Sequence, residues 1–201
     1  MDELTFPIKV LALLGVEQVI VTGSAGCIDK KIKPQDIVLI KDHINISGLS
    51  PIRGNNENEF GTAYPNMLNV YSKRLIDLAK NVASLKAFDD EFNWKAMRKV
   101  KDGYDMTIGL EEGIYSFMPG PQYETMAELK MLSLLGADMV GMSIVPEVVT
   151  AANMGMEILG LAYINKSANE KEMANSWEMF DDLSKLEEKF KTLIMRVIMK
   201  M

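Results

Sequence analysis

Cysteine and histidine are nearly missing from this chain, with Cys27 and His43 the single examples of each among 201 residues. One cysteine excludes an internal disulfide and points to a reducing compartment, most simply the cytoplasm. One of each cannot build a zinc cluster, so no metal is expected. No apolar run approaches the length of a membrane span. The opening Met1-Asp-Glu-Leu-Thr is acidic and lacks the basic flank of a signal peptide. A net charge of −6 gives no general attraction to nucleic acid or anionic lipid. Repeats, low-complexity stretches and inter-domain linkers are lacking too. What remains, 48% hydrophobic and 25% charged residues, is the composition of a globular chain, and its length suits a single domain over 1–201.

Strands and helices alternate along it. The patterning predicts a helix over Phe6–Leu14 that stops at Gly15, and buried strands at Gln18–Thr22 and Asp36–Ile40. A Gly-, Pro- and Asn-rich connection, Ser47–Tyr64, leads to a helix over Met67–Leu85. Its inner face would be Leu68, Tyr71, Leu75, Leu78 and Ala79. Lys86–Lys101 reads as an irregular surface segment. Gly113–Met118 is a strand, Met126–Leu135 a helix with Met126, Leu129, Leu132 and Leu135 on one face, and Asp138–Met142 a short strand. A helix over Pro146–Met154 stops at Gly155, and a buried strand follows at Glu157–Ile164. The last helix, Asp182–Met199, carries Leu183, Leu186, Phe190, Leu193, Val197 and Ile198 on one side. Lys185, Lys189, Lys191 and Arg196, interspersed with Glu187 and Glu188, form a solvated face rather than a membrane-binding one. Such alternation implies an α/β fold, a mainly parallel mixed sheet flanked by helices.

Three regions concentrate polar groups at strand ends. Gly23-Ser-Ala-Gly26 follows a strand, and its small residues fit either a tight turn or a loop whose N–H groups cradle an anion. Ser143 stands between a strand and a helix start, where it could cap the turn or face an anion at the positive helix end. Thr125 and Glu128 have the spacing of a capping box, which places Glu124 just outside a helix and beyond a strand. By themselves Glu124 reads as a helix-dipole carboxylate and Asn165 as a turn former. His43 reads as a histidine bonded to nearby backbone at a strand end, with no chemistry assigned.

Pro119-Gly120-Pro121-Gln122-Tyr123-Glu124-Thr125, then Gly141-Met142-Ser143 and Ile164-Asn165-Lys166, resemble the purine-binding half of the trimeric, 6-oxopurine-specific purine nucleoside phosphorylases. Val21-Thr22-Gly23-Ser24-Ala25-Gly26, Asp42-His43-Ile44-Asn45, Arg53-Gly54-Asn55 and Phe60-Gly61 extend the likeness over nearly the whole chain. The resemblance implies that Glu124 reads the base and Asn165 stabilises the departing purine, the two acting as the catalytic pair. It further implies that Tyr123, Met142, Tyr64, Tyr115 and Ser176 bind the nucleoside, with Tyr64 reaching into a neighbouring subunit. Ser24 and Ser143 would hold phosphate.

The implied reaction is phosphorolysis of inosine or guanosine to free purine and ribose 1-phosphate, in purine salvage. Phosphate is the co-substrate, no cofactor takes part, and the assembly is a homotrimer. Departures from the family pattern are Ile164 for a threonine, Cys27 for a glycine, a shortened loop after Asn165, and Ser176 near the place of a histidine. The family's amino-terminal phosphate loop, with its Arg and His contacts, has no counterpart here, an absence expected to expose a sheet edge. Other readings are an incomplete or alternatively started form of an active phosphorylase, a shortened paralogue that binds nucleoside or its own kin without turnover, a pure interaction module, and a methylthioadenosine phosphorylase. Asparagine at 165 speaks against the last, whose kind prefers aspartate there.

Overall fold

A computed structural model describes residues 2–53, 61, 62, 64–84, 108–167 and 183–201. Helix α1 is Asp2–Leu13, followed by strands β1, Gln18–Cys27, and β2, Ile37–Asn45, and helix α2, Lys73–Ala83. Strand β3, Leu110–Phe117, leads into α3, Met126–Leu134, and β4, Met139–Gly141. Helix α4, Val145–Asn153, β5, Glu157–Ser167, and α5, Leu183–Ile198, complete the order. The sheet is mixed and helix-flanked, as the alternation implies, and its strands close on themselves in the order β1-β4-β3-β2-β5. Ladders β1/β5, β2/β3 and β3/β4 are parallel, whereas β1/β4 and β2/β5 are antiparallel. The expected open edge is therefore closed, though by a two-pair ladder of Gly26 with Val140 and Cys27 with Met139.

The strands without polar alternation are the ones buried on both faces. Val38, Leu39 and Ile40 of β2 and Ile158, Leu159, Leu161 and Ala162 of β5 are all fully enclosed. Each large aliphatic side chain so placed contributes about 1.5–3 kcal/mol relative to exposure.

Both β1 and β5 run further than their apolar cores. Small residues continue β1 through Gly23-Ser-Ala-Gly26, which is neither a turn nor a loop but sheet, paired from Gly23 with Ala162 to Gly26 with Lys166. Likewise Asn165 lies inside β5, not in a turn after it. His43 sits within β2, and its Nδ1 lies 3.0 Å from the Tyr71 hydroxyl rather than on backbone. Burial pulls the His43 pKa down, with Asp42 opposing.

Helix α2 starts later than its period suggests. Asn69 takes φ 57°, Tyr71 bridges to Ile158, and Ser72 is the N-cap, its hydroxyl accepting the Leu75 N–H at 3.2 Å. Leu68 is consequently 80% exposed, not on the inner face. On α3, Leu129 and Leu132 pack inward, but Met126 and Leu135 at its ends are exposed. Arg196 departs from the solvated face of α5: it is buried and donates to the Val82 carbonyl at 3.1 Å, tying α5 to α2. The segment 86–101 lies outside the described residues.

Glu157, the first residue of β5, joins three elements. Its carboxylate accepts from the Ser72 hydroxyl, from Arg74 Nε at 3.1 Å and from Gln18 Nε2 at 2.9 Å. Those bonds, Arg74 foremost, hold its pKa at about 2 against an ordinary 4.5. A depressed carboxylate stabilises the fold above the unfolded value, and that stabilisation fades as pH falls toward the folded value. Denaturant unfolding of Glu157→Gln should show a deficit at pH 7 that shrinks below pH 4.5 and is gone near pH 2. A deficit independent of pH would refute the ionic origin.

Candidate active site

The ladder between β1 and β5 slips once. Ala25 pairs with Ile164 and Gly26 with Lys166, so Asn165 is the extra residue of a β-bulge. A bulge re-aims side chains, and here it leaves Asn165 Oδ1 buried with no hydrogen-bond partner. A buried amide oxygen without a donor costs about 1–3 kcal/mol, which calls for a ligand N–H at that point.

The second acceptor comes from the turn before α3. Thr125 Oγ1 accepts the Glu128 N–H at 3.3 Å, and Glu128 Oε2 accepts the Thr125 N–H at 2.6 Å, the reciprocal capping box expected from the spacing. This cap fixes Glu124, which is 7% exposed and has no ion-pair partner among the described residues. Upstream, Gly120 has φ 60°, and a methyl there would fall 2.3 Å from the Met142 sulfur. Only glycine meets both demands, so the turn can close over Met142.

Around Ser143 the packing is equally tight. Tyr115 is fully enclosed, and its hydroxyl accepts the Ser143 N–H at 3.3 Å. Burial pushes its pKa up to about 12, with Ser143 opposing and the Glu147 and Glu124 carboxylates adding to the rise. It therefore stays a neutral phenol. A methyl at Gly141 would lie 2.1 Å from the Tyr115 hydroxyl and 2.7 Å from the Ser24 carbonyl. Ser143 Oγ in turn lies against Gly23, where a methyl would approach it to 2.7 Å. Ser24, Tyr115 and Ser143 thus share one wall, and the electrostatic reach of Glu124 to both Tyr115 and Lys166 links it to the base end.

The helix end beside Ser143 differs from the expected anion cradle. The N-cap is Ile144, at φ 73°, with no side-chain cap of its own. The Val145 N–H donates to the Ser143 carbonyl at 2.9 Å, and Pro146 has no N–H. The N–H groups of Ile144 and of Glu147 itself lie close enough to the Glu147 carboxylate to pull its pKa down against the effect of burial. With the Val145 N–H engaged and none on Pro146, an anion would meet chiefly the Ser143 hydroxyl and the helix dipole, with the Glu147 carboxylate close by. Glu147 Oε2 remains buried and unpartnered, and desolvation raises the Glu147 pKa.

Tyr123 is 59% exposed, and the Lys166 ammonium sits over its ring at 3.3 Å from the centroid. Burial lowers the Lys166 pKa while Glu124 supports it. Neither Lys166 nor Glu147 has a role from the sequence reading, and only its place directly after Asn165 singles Lys166 out. Tyr64 is 92% exposed, and its N–H donates to the Thr62 hydroxyl at 3.4 Å. Ser176, Gly54, Asn55 and Phe60 lie outside the described residues. Among the described residues no cluster of His, Cys, Asp and Glu could hold a metal, and no helix is long and apolar enough to cross a membrane.

A family model described as the phosphorylase superfamily matches residues 1–199. The chain belongs to this superfamily. It is 41% identical over 167 residues to purine nucleoside phosphorylase 1 of Geobacillus stearothermophilus, covering 83% of this chain and 54% of that one. It is 37% identical over 188 residues to the mouse purine nucleoside phosphorylase, covering 90% and 59%. The chain spans about half the length of these curated relatives. Among solved structures, a Schistosoma purine nucleoside phosphorylase in complex with hypoxanthine superposes with TM-score 0.79 at 29% identity, covering 100% of this chain and 69% of that one. The same enzyme's complex with guanosine gives 0.76 at 29%, covering 100% and 68%.

The elevated pKa of Glu147 makes a stability test of the site's geometry. A carboxylate whose folded pKa exceeds its unfolded value weakens the fold as pH rises through that interval. Glu147→Gln, which keeps the side chain's size and one carbonyl oxygen, should unfold at higher temperature than the parent at pH 7–8. Its advantage should vanish below the ordinary value of 4.5. No advantage at pH 7 would mean that Glu147 is well solvated.

Proposed function

We propose that this chain forms the base- and ribose-binding part of a purine nucleoside phosphorylase acting on 6-oxopurine nucleosides such as inosine and guanosine. The carrying observation is the pair of uncommitted buried acceptors, Asn165 Oδ1 and the Glu124 carboxylate. A 6-oxopurine presents N–H at N1, and in guanine an exocyclic amine beside it, which matches a carboxylate. Its N7/O6 edge matches an asparagine amide, Nδ2 donating to O6 and Oδ1 accepting from a protonated N7. The family membership and the hypoxanthine and guanosine complexes of the Schistosoma enzyme support the same reading.

The reaction follows from that placement. A phosphate oxygen bonds to C1′ as the C1′–N9 bond breaks, and the bonding pair stays on the purine. A solvent proton ends on N7, and the new N7–H donates to Asn165 Oδ1. The interaction strengthens as charge develops, so it lowers the barrier, commonly by about 3–4 kcal/mol for one well-placed group. Met142 and Tyr115 line the sugar, Tyr123 stacks on the base, and Ser143 and Ser24 meet phosphate, which acts as co-substrate with no cofactor. Exposed Tyr64 would complete a neighbour's ribose pocket in a homotrimer, working in the cytoplasm.

A second reading, purine binding without turnover, draws on the engaged Val145 N–H and the missing donor of Pro146 at the start of α4, and on the buried Glu147 carboxylate oxygen beside them. Both disfavour a tightly held anion. An inosine assay with and without phosphate separates the two. Under the first reading turnover requires phosphate, and Asn165→Ala reduces kcat by at least about 100-fold. Glu124→Ala weakens hypoxanthine binding by roughly 10- to 100-fold, the loss of a hydrogen bond to a charged group. Turnover unchanged in Asn165→Ala would remove that residue from the mechanism.

A further inference from the structure

We propose that Lys166 gates the base pocket: its ammonium occupies the face of Tyr123 on which a purine would stack, and it must leave before the base can seat. The inference rests on the reading of Tyr123 as the stacking platform. Lys166 follows Asn165 on β5, so its stem rises from the bulge that presents the Asn165 amide. The ammonium lies 3.3 Å from the ring centroid, and a stem that starts beside Asn165 implies that the face it covers is the one toward the base end. Vertical space for a purine over an aromatic ring is of the same order, so cation and base cannot share the face.

The energetics make this a soft gate. A cation over an aromatic ring is attracted by its quadrupole, more strongly when partly desolvated. Yet desolvation works against the charged ammonium here, and only the Glu124 carboxylate compensates. Swinging out returns the ammonium to water, which offsets much of the lost ring contact. Arriving base thus exchanges one ring partner for another, and Lys166 sets how readily it enters.

A prop and a gate give opposite signs. If Lys166 merely supports Tyr123, Lys166→Met loosens the platform and weakens base binding. If it competes with the base, Lys166→Met binds hypoxanthine about 2- to 30-fold more tightly, the range set by a cation–π contact. Lys166→Arg, which stacks at least as well, should bind no more tightly than the parent. Proton NMR of the unaltered chain supplies a second readout that does not depend on the variants. The Lys166 Hε signals should lie upfield in the ring current of Tyr123 and move to ordinary lysine positions on saturation with hypoxanthine. Weaker binding in Lys166→Met, or Hε signals left upfield with base bound, overturns the gate and leaves the purine reading intact. Failure of both parent and variant to bind hypoxanthine overturns the gate and the purine reading together.

Discussion

Parallel pairing of β1 with β5 runs from Gln18 and Glu157 to Cys27 and Ser167 and slips by one residue near its end. The placement of Asn165 depends on that slip. In an unbroken ladder Asn165 would face a partner on β1, and its side chain would follow the pleat. The bulge frees it and leaves its carbonyl oxygen enclosed but unbonded. Strength for holding such a defect comes from below it, where Ile158, Leu159 and Leu161 are fully buried and Glu157 anchors the strand to Ser72, Arg74 and Gln18. A rigid lower half thus supports an unsatisfied upper half, the arrangement expected of a preorganised site.

The two halves of the pocket are built differently. At the base end, acceptors stand without donors: Glu124 behind a capped helix start, Asn165 on its bulge. At the phosphate end donors are scarce: the Val145 N–H is already bonded to the Ser143 carbonyl, Pro146 has none, and the Glu147 carboxylate lies beside them. Both Glu147 and Glu124 reach the Tyr115 phenol electrostatically and add to the rise of its pKa that burial causes. That distribution favours a neutral, donor-bearing ligand at the base end and leaves little positive potential for an anion beyond the Ser143 hydroxyl.

Much of this was legible from the chain itself, and the failures share a cause. The capping box at Thr125 and Glu128 fixed the position of Glu124 because both partners are local, three residues apart. Apolar runs located the cores of β1, β2 and β5 for the same reason. Their ends were misjudged: Gly23–Gly26 and Asn165–Ser167 look like turns in isolation but are held as strand by each other, a pairing more than a hundred residues apart in sequence. Leu68 has helical spacing, yet Asn69 at positive φ and the Tyr71 bridge delay the helix. Arg196 looks solvated until α2 supplies the Val82 carbonyl. Lys166 and Glu147 acquire meaning only beside Tyr123 and Ile144, contacts that no periodicity encodes.

The most direct test of two acceptors awaiting a 6-oxopurine is a calorimetric comparison of hypoxanthine and adenine on this chain. Adenine offers an acceptor at N1, opposite the Glu124 carboxylate, and a donor amine where Nδ2 of Asn165 would donate. The account requires hypoxanthine to bind at least about 100-fold more tightly. Equal affinities for the two bases would contradict it.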